Sequence, residues 1–244
     1  MNKNIISFLV IVLLLLSACN NKENTITSFK YPKSKIWAHN ANDTLVAQTK
    51  EDLFNGLEID LVYSEYQDLL FVGHDLWDTI KDITFDKWLS SLKKTENKCY
   101  WLDVKNINIE NAEKITTHIL DATEKFKIKN KVIIESPDHN ALQNVKNAGL
   151  AVLLWVDNFS SWENKDTVLW KKIVTDKINI LKPDAISCFY HMYPLLSDSF
   201  PEMNVHYWNT PIYEINSNIE LTKELCRVPN VKVVLVDYDE PIKY

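Results

Sequence analysis

From residue 34 onwards the chain alternates between two patterns of hydrophobic and polar positions. Short apolar runs recur eight times: "KIWAH" (35–39), "LEIDLVY" (57–63), "YWLDVK" (100–105), "KVIIES" (131–136), "LAVLLWV" (150–156), "DAISCFY" (184–190), "VHYWN" (205–209) and "KVVLVDY" (232–238). Between them lie longer stretches with apolar residues three and four apart, such as "TLVAQTKEDLFN", "TFDKWLSSLKK", "NIENAEKITTHILDATEKF" and "DHNALQNVKNAG". The first pattern predicts strands and the second amphipathic helices. Thr84 and Asn108 read as helix starts, and "NAG" at 147–149 as a helix stop. Strands separated by helices pair in parallel, because each crossover must return the chain along a strand length. Eight such units in about 210 residues predict a (β/α)8 TIM barrel near the lower end of its size range. After the second strand the chain inserts "SEYQDLLFVGHDLWDTIKDI", in which "DLLFVGH" reads as an extended segment returning beside that strand, a small hairpin-like insertion. The competing fold, a doubly wound open sheet, calls for a glycine-rich first turn. With only Gly56, Gly73 and Gly149 in the chain, a phosphate-cradling glycine loop is excluded.

The polar residues that interrupt the apolar runs gather at one end of them. His39 closes the first run, Glu58 and Asp60 lie in the second, and His74 and Asp75 end the inserted segment. Asp103 and Lys105 close the third run, Glu135 the fourth, Trp208 and Asn209 the seventh, and Asp237 the eighth. Side chains two apart on a strand share a face, so Glu58 and Asp60 point together, as do Asp103 and Lys105. The C-terminal rim of a (β/α)8 barrel is where catalytic groups from several strands meet. Buried carboxylates without a counter-charge would cost several kcal/mol. A cation bridging Glu58, Asp60 and Asp103 supplies that charge, and three hard oxygen ligands suit Mg2+ or Ca2+ better than zinc.

Composition narrows the partners. The 244 residues are 46% hydrophobic and 25% charged, which is ordinary for a folded soluble domain and excludes a disordered chain. A net charge of −6 and scattered lysines argue against a nucleic-acid partner. Cys99, Cys188 and Cys226 are too widely spaced for a zinc site or a disulfide framework and read as buried thiols. At the N-terminus, "MNKNIISFLVIVLLLLSAC" has the anatomy of a secretory signal, too short for a comfortable membrane span. Its "LSAC" resembles the bacterial lipobox, which implies lipidation of Cys19. The expected organisation is a signal peptide over 1–18, a lipidated Cys19 and polar tether over 19–33, and one barrel over 34–244. The chain would sit at the bacterial cell envelope, lipid-anchored to a membrane surface on the periplasmic or extracellular side.

The motifs "AHNAND", "GLEIDL" and "VGHDLW", followed by "WLDVK", "VIIESPDHNAL", "WNT" and "LVDYDEP", resemble those of the glycerophosphodiester phosphodiesterases, whose barrel carries His-Arg-Gly, Glu-x-Asp and His-Asp in that order. "WAHNAN", "LEIDL", "GHD" and "WLDVK" fit the divergent menorin branch somewhat better. The resemblance spans residues 36 to 240. It implies that Glu58, Asp60 and Asp103 bind a divalent metal, that His39 and His74 are the acid/base pair, and that Lys105 faces the phosphate of a small-molecule phosphodiester. The family's Arg after the first His is Asn40 here and its Gly is Ala41. Asn42 is expected to donate a hydrogen bond to the phosphate, without the charge or fork of Arg. Glu135 either joins the outer shell of the metal or anchors its loop. Trp208 stacks on substrate or fills the barrel, while Trp37 and Trp155 fill it. His118, His139, His191 and His206 are assigned to helix or loop surfaces, with His191 nearest the rim.

These observations support a metal-dependent phosphodiester hydrolase acting on glycerophosphodiesters or a related lipid headgroup. A second reading, consistent with the missing Arg, is a catalytically inactive barrel binding a ligand or protein partner. A third, a glycoside hydrolase using Glu58 and Glu135, has no use for two histidines or Lys105.

Overall fold

A computed structural model describes residues 29–77, 83–159, 166–208, 219–239, 241, 243 and 244. Each apolar run folds as a strand: β1 Ile36–Ala38, β2 Gly56–Ser64, β4 Cys99–Val104, β5 Val132–Ser136, β6 Ala151–Trp155, β7 Ala185–Phe189, β8 Val205–Trp208 and β9 Val231–Val236. The inserted segment supplies β3, Leu69–Val72, antiparallel to the second half of β2 with Leu61 opposite Val72 and Ser64 opposite Leu69. The other eight strands pair in parallel, and β1 meets both β9 and β2, so the sheet closes into a barrel. The helices are α1 Thr44–Leu53, α2 Phe85–Ser91, α3 Ala112–Lys125, α4 His139–Asn147, α5 Thr167–Leu181, α6 Tyr193–Ser199 and α7 Ile219–Arg227.

Local chemistry sets the helix ends. The Thr84 hydroxyl accepts from the Lys87 N–H, and Asp43, Asp138 and Asp166 cap α1, α4 and α5 in the same way. Asn108, expected to start a helix, instead accepts from the N–H groups of Glu110 and Asn111 and closes a turn; α3 begins one turn later. Gly149, after α4, has φ 82°, which only glycine adopts at no steric cost.

The closed sheet separates two hydrophobic cores. The outer one lies between sheet and helices, around Ile59, Leu102, Ile134, Val152 and Ile186. The inner one fills the lower barrel with Trp37, Trp101, Ile133, Leu153, Val233 and Leu235. Trp37 takes the space over Gly56: a Cβ there would lie 2.0 Å from the indole, so β2 must start with glycine. Cys99, Cys188 and Cys226 are buried free thiols, as expected.

The base of the barrel is closed by residues 29–33, the end of the stretch assigned to the tether. Phe29 is buried and packs edge-on to Tyr31 at 4.7 Å, and the Lys30 N–H donates to the Asn130 carbonyl. The Tyr31 hydroxyl lies 3.0 Å from Nε2 of His206. His206 is therefore not on a helix or loop surface. It is two residues from Trp208 on β8, fully buried among Tyr31, Trp37 and Trp101, and burial pulls its pKa down to about 3. The signal peptide, Cys19 and tether residues 20–28 lie outside the described residues, as does Asn209. Among the described residues no helix is long and apolar enough to cross a membrane.

Candidate active site

The register of the central strands brings the acids together. β2 pairs with β4 so that Asp60 stands beside Asp103, and β4 pairs with β5 so that Asp103 stands beside Glu135. Oxygens of Glu58, Asp60 and Asp103 all lie within 4.8 Å of one another at the mouth of the barrel. Glu58 and Asp60 are buried and Asp103 is half-buried.

Each carboxylate is held. Asn40, just after β1, adopts φ 51°, a left-handed conformation that Asn tolerates better than most residues, and its N–H donates to Glu58 Oε2 at 2.7 Å. Asn42 donates from Nδ2 to Asp60 Oδ2 and to Asn40 Oδ1, both at 2.8 Å, and its Oδ1 accepts from the Asp60 N–H. This corrects the expectation for Asn42: its amide is committed to Asp60 and buried, leaving no hydrogen for a phosphate. Lys105 bridges Asp60 and Asp103, with Nζ 2.7 Å from Asp60 Oδ1 and 2.5 Å from Asp103 Oδ2.

Crowding of like charge and burial act together on the trio. Burial and the neighbouring charge of Asp60 push the Glu58 pKa up to about 8. Burial also raises Asp103, against the pull of Lys105. For Lys105 itself burial works downward, but the charges of Asp103 and Asp60 prevail and hold its ammonium form firmly. Three hard oxygen donors with one lysine between them fit a divalent cation, which would relieve the crowding that raises Glu58.

His39 stands at the same mouth. Its Nδ1 is 2.8 Å from Asp237 Oδ1 and its Nε2 is 3.8 Å from Glu58 Oε2. Burial alone would lower its pKa, but the bond to Asp237 and the charges of Glu58, Asp237 and Asp60 bring it up to about 8. His74 reaches the same cavity from the loop after β3, with its side chain largely exposed and Nδ1 3.8 Å from Asp75 Oδ2.

Below them, Glu135 accepts from Trp101 Nε1 at 2.7 Å and from the Ser187 hydroxyl. Burial, then the charge of Asp103, push its pKa well above the usual carboxylate range. With both oxygens engaged inside the barrel, Glu135 forms the floor of the site and is unsuited to act beside Glu58 in glycoside hydrolysis. Trp155, expected to fill the barrel, is half-buried at the mouth and stacked on Trp208, with centroids 6.1 Å apart and planes at 21°. The cavity enclosed by these groups has a volume of about 470 Å³ and is lined by His39, Asn40, Glu58, Asp60, His74, Asp103, Lys105 and Glu135, with Phe189, Trp208 and Leu235 as its apolar side. His191 lies on the exposed turn after β7 against Phe189 and Tyr190.

No protein-family model matches the chain, and no curated protein does. Solved structures do. A glycerophosphodiester phosphodiesterase from Parabacteroides distasonis superposes with a TM-score of 0.61 at 13% identity, over 85% of this chain and 94% of that one. An Oleispira antarctica phosphodiesterase in complex with the product sn-glycerol-3-phosphate gives 0.60 at 14%, over 86% and 94%. The glycerophosphodiester phosphodiesterase of Agrobacterium tumefaciens gives 0.58 at 11%, over 85% and 97%. With its eight parallel strands closed into a barrel, this chain has the fold of the solved glycerophosphodiester phosphodiesterases.

Proposed function

We propose that the chain is a phosphodiester hydrolase cleaving glycerophosphodiesters or a related lipid-headgroup phosphodiester, with Mg2+ or Ca2+ held by Glu58, Asp60 and Asp103. The observation that carries this reading is the meeting of those three carboxylates with His39, His74 and Lys105 in one cavity at the mouth of the barrel. Bound there, the cation would supply positive charge against the phosphoryl oxygens. Lys105 adds a second positive charge at the same place. Asp237 fixes His39 with Nδ1 outward and Nε2 toward the cavity. His39 and His74 between them take the proton of the attacking hydroxyl and return one to the leaving alcohol, each contributing about 10²- to 10⁴-fold. Phe189, Trp208 and Leu235 provide an apolar wall against the non-reacting part of the substrate. The motif likeness to the menorin branch belongs to the same reading; a lipid on Cys19, with placement at the bacterial envelope, is a separate part of the proposal that rests on the N-terminal motif.

The test is a panel of glycerophosphodiesters supplied to the full chain with Mg2+ or Ca2+, reading released glycerol phosphate and alcohol. Turnover abolished by chelator and restored by cation is expected. Absence of turnover on every member, with cation bound, would overturn the hydrolase. The inactive ligand-binding barrel is favoured by one observation: the neutral Asn40 stands where the resembling family has Arg. Its signature would be saturable binding of a glycerophosphodiester without cleavage.

A further inference from the structure

The base of the barrel carries a charge opposite to that of the mouth. The segments that enter β1, β4 and β5 hold Lys30, Lys33, Lys93, Lys127, Lys129 and Lys131, all preceding parallel strands and hence at the same end. They are neighbours in space: the Lys30 N–H donates to the Asn130 carbonyl, and Lys131 Nζ donates to the Glu96 carbonyl. Lys30, Lys33, Lys93 and Lys127 are exposed and form no ion pair with an acid among the described residues. Against these lysines, Glu51 is turned inward to accept from the N–H groups of Lys93 and Lys94, Asp52 is taken by Lys94 at 2.7 Å and Glu124 by Lys129 at 3.7 Å, which leaves Glu96 as the exposed acid of these segments. A positive face on a chain of net charge −6 concentrates an attraction for anions at one end.

The N-terminal strap says what lies opposite that face. Phe29 and Tyr31 fasten the chain under the barrel, so whatever precedes them leaves from the base. Cys19 is ten residues upstream, so it can lie no further from Phe29 than the extended reach of that many residues, about 35 Å. Resting on the envelope-anchoring reading, and independent of the hydrolase reading, we propose that the base docks on an anionic lipid surface through these lysines, with the mouth turned to the water. Each lysine near such a surface adds to the attraction, and the sum is strongly salt-dependent.

The closed sheet and both hydrophobic cores lie within residues 29–239, so a chain starting at Asn20 keeps the folding unit and removes the anchor. Its binding is measured by flotation with vesicles of phosphatidylcholine alone and with about 30% phosphatidylglycerol, at about 50 and 300 mM salt. Binding at least about tenfold tighter to the anionic vesicles, lost at the higher salt, is expected. Reversal of Lys33, Lys93 and Lys127 to Glu should weaken it at least about tenfold, while Lys171→Glu with Lys172→Glu on α5 leaves it unchanged. No preference for anionic vesicles overturns the proposal on the unsubstituted chain alone. So does undiminished binding by a base variant with an unchanged melting temperature, or tighter binding to duplex DNA than to anionic vesicles at the same salt.

Discussion

The mouth and the base of the barrel are built on the same strands, two residues apart, and they are chemically opposite. On β1 the inward Trp37 is followed, just past the strand, by His39; on β4 the inward positions are Trp101, Asp103 and, just past the strand, Lys105. The lower layer is closed by indoles and the Phe29–Tyr31 plug, and it stabilises the fold by removing apolar area from water. The upper layer buries like charges and engages most of their oxygens in hydrogen bonds, and burying such charge costs free energy that the lower layer does not. Apolar packing and buried charge are thus separated by one step of the strand repeat.

Substitutions can test that separation, because each layer should fail in its own way. At the mouth, His39→Ala or His74→Ala is expected to lower kcat/KM about 10²- to 10⁴-fold with an unchanged melting temperature. If stability fell in parallel, the imidazoles would be structural. At the base, Trp37→Ala should cost about 3–5 kcal/mol of unfolding free energy in denaturant titrations. Gly56→Ala, which drives a methyl into the same indole, should cost about 1–3 kcal/mol.

The base also predicts a pH response. His206 has a folded pKa of about 3, below its value of about 6.5 in an unfolded chain, so the unfolded state binds the proton first. Its contribution to stability is complete above pH 6.5 and is lost as pH falls toward 3, at a slope approaching about 1.4 kcal/mol per pH unit. Denaturant titrations of His206→Phe should show a shallower acid limb; identical limbs would show that His206 is not the titrating group. The smallest effect is expected for Tyr31→Phe, about 1 kcal/mol for the lost hydrogen bond to His206.

Much of this was legible in the sequence, for physical reasons. The strand–helix alternation gave the barrel, and "LEIDL" with "WLDVK" gave the acid trio, because a period of two needs no knowledge of distant parts. The strand "VHYWN" already implies an inward His206, against the surface position expected for it, because the same parity that sends Trp208 inward sends His206 inward. What a single polar residue meets across the barrel, here Tyr31, is not written locally. Phe29 and Tyr31 sit in a polar stretch that composition marks as tether, and only the closed base reveals the hole they fill. Asn42 failed for a similar reason, since its partner Asp60 lies eighteen residues away and the competition between carboxylate and phosphate is settled by geometry. The match of Asp237 to His39 depends on β9 returning beside β1, a long-range closure.

The central claim is that Glu58, Asp60 and Asp103 share one divalent cation, and calorimetric titration of Mg2+ or Ca2+ into the full chain tests it most directly. One cation per chain is predicted, with affinity at least about tenfold weaker in Asp103→Asn at unchanged melting temperature. The absence of saturable binding, or an affinity that Asp103→Asn leaves intact, would contradict it.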